Sequence, residues 1–382
     1  MKLTVNQSEL ILKLSEANRF ISNRPLMNGL SGISLSAIKA NIKSKSKKSN
    51  KDNSNDILQI KSSSGGVIYQ ASIFCNIIDE GECFLPNNLL LSFIKTLDEG
   101  RVDLELNGDN LLIKQGKVKT NLSTIAFENY SLISEADLEN KFSLPVSKLI
   151  ESGKKVVIAA SNDETKPVLT SLVFEMAQPN ALVSTDGFRL FRRQVDLSLD
   201  EKGSFLFPAR LFKDFLAILE GYDQNIVDCY ITADRQIMLF DLGQVKFQVG
   251  SIQGEFPNYS AIVPQNTAFS AILDKLELEQ RIKQVMIVAK ELSSIIIFNW
   301  EANEVVITSQ ENNKGKAEAA MSVTKIDGEP VSFACNGKYI LDYLQVMEGD
   351  ELRIQGTESL KPVVLSPVGN DSEIYLIMPF KI

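Results

Sequence analysis

Three windows of the chain carry the same arrangement of apolar residues. Leu89, Phe93 and Leu97 follow Pro86 and precede Gly100; Leu211, Phe215 and Leu219 follow Pro208 and precede Gly221; Tyr339, Tyr343 and Met347 follow Asn336 and precede Gly349. Spacing of i, i+4 and i+8 puts each set on one helical stripe, with a start-compatible Pro or Asn before it and a stop-compatible Gly after it. A second family of stripes, at i, i+4 and i+7, reads Leu10, Leu14, Ala17, then Leu149, Gly153, Val156, then Leu278, Ile282, Val285. Together these predict helices over 6–19, 86–97, 146–160, 208–219, 278–290 and 336–347. Between them lie alternating β-rich runs such as Leu104-Glu105-Leu106, Leu111-Leu112-Ile113, Ile231-x-Ala233, Ile237 to Phe240, Ile295 to Phe298 and Val305-Val306-Ile307, which predict antiparallel-type strands.

The pattern is periodic. Gly116-Lys117-Val118-Lys119 returns as Gly243-Gln244-Val245-Lys246, 127 residues later, and Phe127-Glu128-Asn129-Tyr130 returns as Phe256-Pro257-Asn258-Tyr259 after 129. Arg24-Pro25-Leu26-Met27 has a counterpart in Lys166-Pro167-Val168-Leu169. The 382 residues therefore read as three repeats rather than as unrelated domains. Each repeat has two helices and antiparallel sheets, an α+β class, with expected boundaries 1–134, 135–263 and 264–382. Linkers are expected at Ser134-Glu135-Ala136-Asp137 and around Val263-Pro264-Gln265-Asn266. Residues 41–56, rich in Lys, Ser and Asn, fit no repeat and read as a basic surface loop.

Composition narrows the chemistry. Hydrophobic residues at 44% and charged residues at 23% match a soluble globular protein. The start, Met1 to Glu9, has no apolar leader core and no window reaches membrane-span length, so a cytoplasmic protein is expected. With no histidine, a Ser-His-Asp triad is impossible and the commonest metal ligand is missing. Cys75, Cys83, Cys229 and Cys335 form no C-x-x-C pair and read as reduced, buried thiols. Gly153-Lys154-Lys155 and Gly337-Lys338-Tyr339 lack the features of a phosphate loop, and Gly29-x-x-Gly32 is no dinucleotide fingerprint. No cofactor, metal or catalytic group is expected.

Three segments carry a resemblance: Thr185-Asp186-Gly187-Phe188-Arg189-Leu190, Phe256-Pro257-Asn258-Tyr259, and Tyr375-Leu376-Ile377-Met378-Pro379-Phe380-Lys381-Ile382. They resemble the signature segments of the bacterial sliding clamp family, the beta subunit of DNA polymerase III, and the similarity runs over the whole chain. The resemblance implies three tandem DNA-clamp repeats in a head-to-tail homodimeric ring that encircles duplex DNA and tethers the replicative polymerase, without catalysis. It implies a partner-peptide pocket of Leu169, Thr185, Gly187, Phe188, Arg189, Leu190, Pro257, Ile262, Asn336, Tyr339, Pro362, Leu376, Ile377, Met378, Pro379 and Phe380. A short partner motif with Gln and a Leu/Phe pair, carried by the polymerase, the clamp loader and repair polymerases, would bury its anchors there. Met378 suits such a site, being flexible and polarizable.

Charge distribution bears on DNA. The chain has 40 cations and 48 acids, net −8, which by itself speaks against a polyanion partner. Yet the six expected helices hold twelve cations and six acids, so they carry +6 and everything else −14. Arg24 matches a family position near DNA, and Lys148, Arg210, Lys213, Arg281, Lys283 and Lys338 are assigned to phosphates from helix placement. By resemblance Lys117, Lys119 and Leu122 would face Ile287, Val288 and Glu318 of a second copy. The sequence departs from its relatives in the long 41–56 loop, in Ser62-Ser63-Ser64-Gly65-Gly66 where a Thr-Asp pair is usual, in Phe188 where histidine is frequent, and in Asn87 and Asn88 where cations are usual. Two other readings remain at this point: a metal-dependent phosphotransfer or nuclease enzyme using carboxylates, and a repeat scaffold that binds only proteins.

Overall fold

Every helix in the computed structural model follows a strand that ends on a helix-starting residue: Asn6, Pro86, Pro145, Pro208, Asp274 or Asn336. Where that residue has a polar side chain, it accepts hydrogen bonds from the free first-turn N–H groups. Asn6 accepts from Ser8 and Glu9, Asp274 from Glu277 at 2.7 Å, and Asn336 from Lys338 at 3.0 Å. The prolines instead supply a fixed φ at the strand-to-helix step. The structure describes residues 1–21, 32–40, 56–64, 66–86, 89–126, 131–133, 140–197, 203–264, 266–301, 303–311 and 313–381.

The first repeat runs β1 (Lys2–Asn6), α1 (Gln7–Asn18), β2 (Gly32–Ile38), β3 (Ile57–Ser64), β4 (Val67–Phe74), β5 (Asn76–Asp79), β6 (Gly81–Pro86), α2 (Leu89–Ile94), β7 (Arg101–Asn107), β8 (Asn110–Gln115) and β9 (Val118–Ser123). The second runs β10 (Asn140–Pro145), α3 (Val146–Val156), β11 (Ser171–Glu175), β12 (Ala181–Thr185), β13 (Arg189–Gln194), β14 (Ser204–Pro208), α4 (Ala209–Leu219), β15 (Ile226–Ile231), β16 (Ile237–Asp241) and β17 (Val245–Gly250). The third runs β18 (Phe269–Asp274), α5 (Lys275–Ala289), β19 (Ile295–Trp300), β20 (Glu304–Ser309), β21 (Glu318–Ser322), β22 (Lys325–Gly328), β23 (Phe333–Asn336), α6 (Gly337–Val346), β24 (Glu351–Gly356), β25 (Val363–Pro367) and β26 (Glu373–Ile377).

All six expected helices are present, with shifted ends. Helix α5 begins three residues before the expected 278 because Asp274 caps it, α2 is confined to Leu89–Ile94, and α3 finishes as a 3-10 turn over Val157–Ala159. Strand β15 stops at Ile231, leaving Ala233 outside it. The expected linker around Val263 is not slack: Val263 packs on a buried apolar cluster. Arg24, the Phe127–Tyr130 copy, Asn87, Asn88, the 134–137 linker and all of the basic loop except Asp56 fall outside the described residues.

The sheets do not respect the repeats. Their strand orders are β5-β1-β7-β8-β9, β10-β15-β16-β17-β4-β3-β2-β6, β14-β11-β12-β13-β26-β25-β24-β18-β22 and β21-β20-β19-β23. In each repeat the first strand and the last three form one half-sheet, extended by β5 in the first repeat and β22 in the third, and the remaining strands between its helices form another. Half-sheets of neighbouring repeats then fuse through antiparallel pairs β17–β4 and β13–β26. Packing accordingly divides the chain into two bodies, residues 1–144 with 223–251 and residues 145–222 with 252–382. The middle repeat is shared between them.

In the first body, Leu10, Leu14 and Ala17 of α1 are buried, and Phe20 packs its ring 5.7 Å from Tyr69 and 4.9 Å from Phe247. Lys13 is buried as well, 3.4 Å from Glu16, whose carboxylate accepts from the Tyr69 hydroxyl. In the second body, α3 and α4 pack closely because the stripe position Gly153 has no side chain. A Cβ there would stand 2.6 Å from the Phe212 ring and 3.2 Å from Leu216. Phe212 is itself wedged against Phe174 and Phe207 and has little room to retreat. Gly153→Ala is therefore expected to destabilise the protein by about 1–3 kcal/mol through overpacking, despite the better helix propensity of alanine. Denaturant unfolding checks this; an unchanged or raised midpoint would show that the helix pair has slack.

Candidate partner groove and charged surfaces

The join β13–β26 brings two of the resembling segments together. Leu190 stands opposite Leu376, and Arg189 opposite Ile377. Since side chains alternate along a strand, Leu190 and Leu376 share one sheet face, while Arg189, Tyr375 and Ile377 share the other. On the first face, Val173, Ala181, Val183, Leu190, Leu206 and Leu376 form a buried cluster, against which Val168, Ile252, Phe256, Tyr259, Val263 and Met378 pack. Pro257 and Ile262 lie on that covering segment, Ile262 with its side chain partly exposed.

The turn from β12 to β13 forms a wall. Asp186 accepts from the N–H groups of Phe188 and Arg189, both at 2.9 Å, and Thr185 Oγ1 donates to the Arg189 carbonyl at 2.6 Å while accepting from Gly187 N–H at 3.1 Å. Gly187 adopts φ +91°, which favours glycine, and an added Cβ would lie 3.9 Å from Leu169. This tight turn leaves Phe188 51% exposed. The C-terminal tail docks alongside: Met378 N–H donates to the Phe188 carbonyl, Phe380 N–H donates to the Ala334 carbonyl, both at 2.8 Å, and the Phe188 and Phe380 rings stack 6.2 Å apart at 17°. Pro362 immediately precedes β25, whose Val363 pairs with Ile377.

The opposite face braces the groove. Arg189 Nη1 donates to Asp342 on α6 at 2.7 Å and its Nε to Asp186 at 3.0 Å. Its guanidinium lies 4.5 Å from the centre of the Tyr339 ring. Burial works against the Arg189 charge, but Tyr375, Asp342 and Asp186 more than offset it and hold the group above its ordinary pKa. Burial likewise raises the Tyr339 phenol, aided by Asp186. Asn336, capping α6, sets the first turn that presents Tyr339. Ile377, also expected in the pocket, lies on the Arg189 side of the sheet and is 1% exposed. Asp342 was not singled out from sequence, although it sits one helical turn from Tyr339.

The charged candidates divide. Arg210, Lys213 and Lys338 are exposed; Lys148 is half-exposed, 3.7 Å from Asp196. Arg281 and Lys283 are tied along α5 to Glu277 at 3.0 Å and Glu279 at 2.5 Å. Two helical cations counted toward a basic surface are not on it. Lys13 is buried beside Glu16, and Lys155 is buried beside Glu348 at 2.8 Å and the fully buried Glu373, which also binds Arg193 and the Tyr343 hydroxyl. Lys117 lies in the turn before β9, Lys119 and the half-buried Leu122 lie on β9, Ile287 stands 65% exposed on α5 beside Val288, and Glu318 opens β21.

Comparison with known proteins gives one consistent result. The chain matches the beta sliding clamp of Bacillus subtilis at 24% identity over the full length of both, and that of Staphylococcus aureus at 25% over 100% of this chain and 99% of the relative. Its fold superposes on the DNA polymerase III beta subunit of Thermotoga maritima with TM-score 0.87 at 23% identity, covering 100% of this chain and 99% of that one. It superposes on the subunit from Pseudomonas aeruginosa with TM-score 0.89 at 19% identity, and on the Bartonella birtlesii clamp bound to griselimycin with TM-score 0.88 at 20%, each over 100% of both chains. Family models for the N-terminal, central and C-terminal domains of the DNA polymerase III beta subunit match residues 1–134, 143–258 and 260–381. The chain therefore belongs to the DNA polymerase III beta subunit family, the beta sliding clamps.

Proposed function

We propose that two copies of this chain close head to tail around duplex DNA by pairing strand β9 of one with strand β21 of the other. As a family member the chain is a DNA sliding clamp, a non-catalytic processivity factor of replication. The observation that carries the ring is a gap in the strand pairing. Strand β9 of the first repeat corresponds to β17 and β26, and β21 of the third corresponds to β4 and β13. Those counterparts are the strands that pair at the two internal joins, while among the described residues β9 and β21 end their sheets with no further strand beside them. The repeat thus provides three joins and the chain uses two. The third pair, antiparallel like the others, removes two exposed edges and leaves none of that kind. Lys117 just before β9 and Lys119 on it complement Glu318 on β21, and the exposed Val118 and Ile287 add apolar area. The sequence units 1–134, 135–263 and 264–382 are proposed as the repeats that make these joins.

Arg24, Lys148, Arg210, Lys213, Arg281, Lys283 and Lys338 are proposed to meet phosphates. Such contacts are sequence-independent and weaken with salt, which suits sliding, while topology rather than affinity keeps the ring on DNA. The Leu190–Leu376 groove is proposed to take a short Gln/Leu/Phe-type motif of the replicative polymerase, the clamp loader and repair polymerases, with Phe188, Met378 and Phe380 contacting the anchors. No helix among the described residues is long and apolar enough to cross a membrane, and replication places the protein's work in the bacterial cytoplasm.

Three outcomes are expected. Leu122→Asp puts a charge into the proposed β9 join and should shift the sedimenting species from dimer to monomer; an unaltered dimer would place the contact elsewhere. Removal of residues 378–382 takes away Met378 and Phe380 and should abolish binding of a polymerase-derived peptide while the thermal transition persists; retained affinity would contradict the groove assignment. Once loaded, the protein should remain on nicked circular DNA and run off linear DNA of the same length, and equal retention on both would rule out encirclement.

A further inference from the structure

The sheet face that floors the partner groove continues into a second concavity. Alternation along β13 puts Arg192 on the same face as Leu190, along β26 puts Ile374 on the face of Leu376, and along β11 puts Glu175 on the face of Val173. The groove proposed for the anchors lies at the buried Leu190 and Leu376. Roughly 7 Å farther along the same strands, Arg192, Ile374 and Glu175 floor an open groove of about 770 Å³, a size typical of ligand sites. The turn Tyr259–Ala261 and the following Val263 form the ridge between the two: both Tyr259 and Val263 pack on the apolar cluster of the first groove and also line the second.

The chemistry of this second groove is fixed and electrically balanced. Tyr259 donates its hydroxyl hydrogen to Glu175 at 2.6 Å and accepts from Arg192 Nε at 3.2 Å, and Arg192 Nε lies 3.7 Å from the other Glu175 oxygen. Burial and Glu175 push the Tyr259 phenol above its ordinary pKa, so the proton stays in place. One cation thus faces one anion, and no net charge is offered to an ionic ligand. Both Nη groups of Arg192 remain without a hydrogen-bond partner among the described residues, ready to donate to neutral carbonyl oxygens. Carbonyl groups at regular spacing, with small apolar side chains to cover Ile374 and Val263, are what an extended polypeptide presents.

We infer that this groove takes the segment of a partner polypeptide flanking its anchor residues, held in extended form through main-chain carbonyls on Arg192. The inference rests on the proposal that the Leu190–Leu376 groove takes the anchors. Continuity supports it, because two to three extended residues cover roughly 7 Å, and the ridge they would cross exposes the small Ser260 and Ala261 beside Ile262.

The test compares three synthetic peptides by fluorescence anisotropy: one bearing only the Gln, Leu and Phe anchors, and two extended by Ala-Val-Ser-Ala-Val at either end. One extended peptide should bind about tenfold tighter than the core peptide. Ala177→Trp, in the bend after β11, and Ser204→Trp, on β14, both exposed rim positions outside the anchor groove, should each remove that gain while leaving core-peptide affinity unchanged. Absence of any gain on the parent protein, or a gain that survives both filled-groove variants, would overturn the inference while the anchor groove stands. A core peptide that fails to bind would overturn the anchor groove and the inference with it.

Discussion

Unpaired backbone N–H and C=O groups along a sheet edge are the constraint on which this molecule turns. Each repeat folds into two half-sheets, and neighbouring repeats join one half-sheet of each through a strand pair, β17 on β4 and β26 on β13. The bodies seen in the packing consequently straddle the repeats. By the same rule β9 and β21 are proposed to pair with a second copy, and on that proposal assembly continues the fold.

The proposed partner groove follows from one of these joins. Pairing β13 with β26 sets the Thr185–Arg189 turn beside the C-terminal tail, and the Met378 and Phe380 N–H bonds fasten the tail to Phe188 and Ala334. The corresponding stretch of the first repeat reads Ser62-Ser63-Ser64-Gly65-Gly66 and has no carboxylate like the one with which Asp186 holds Phe188 and Arg189. Arg189 is clamped between Asp186 and Asp342 over Tyr339, and side chains fixed in advance beside the proposed groove would lose less entropy on binding.

Much of the secondary structure was legible because it is local. The i, i+4 stripes and their Asn, Asp or Pro starts gave the helices, and Asp274 shows how a cap overrides the last visible apolar residue in setting an end. Strand runs such as Ile237 to Phe240 were equally plain. Which strand pairs with which was not, because β4 and β17 lie far apart in the chain and no local pattern encodes their register. For the same reason Lys13 and Lys155 read as surface cations, although Glu16 in one case and the distant Glu348 and Glu373 in the other draw them inside. The groove residues were visible only through their likeness to a family. Asp342, and the trio Glu175, Arg192 and Tyr259, act across long sequence separations and carry no local signature.

The most direct test of the central claim is to image the purified protein as single particles by electron microscopy. A closed two-fold ring, with density continuous across a β9–β21 contact at both seams, is the expected result. Isolated monomers, open chains of many copies, or a dimer joined through any other surface would contradict it.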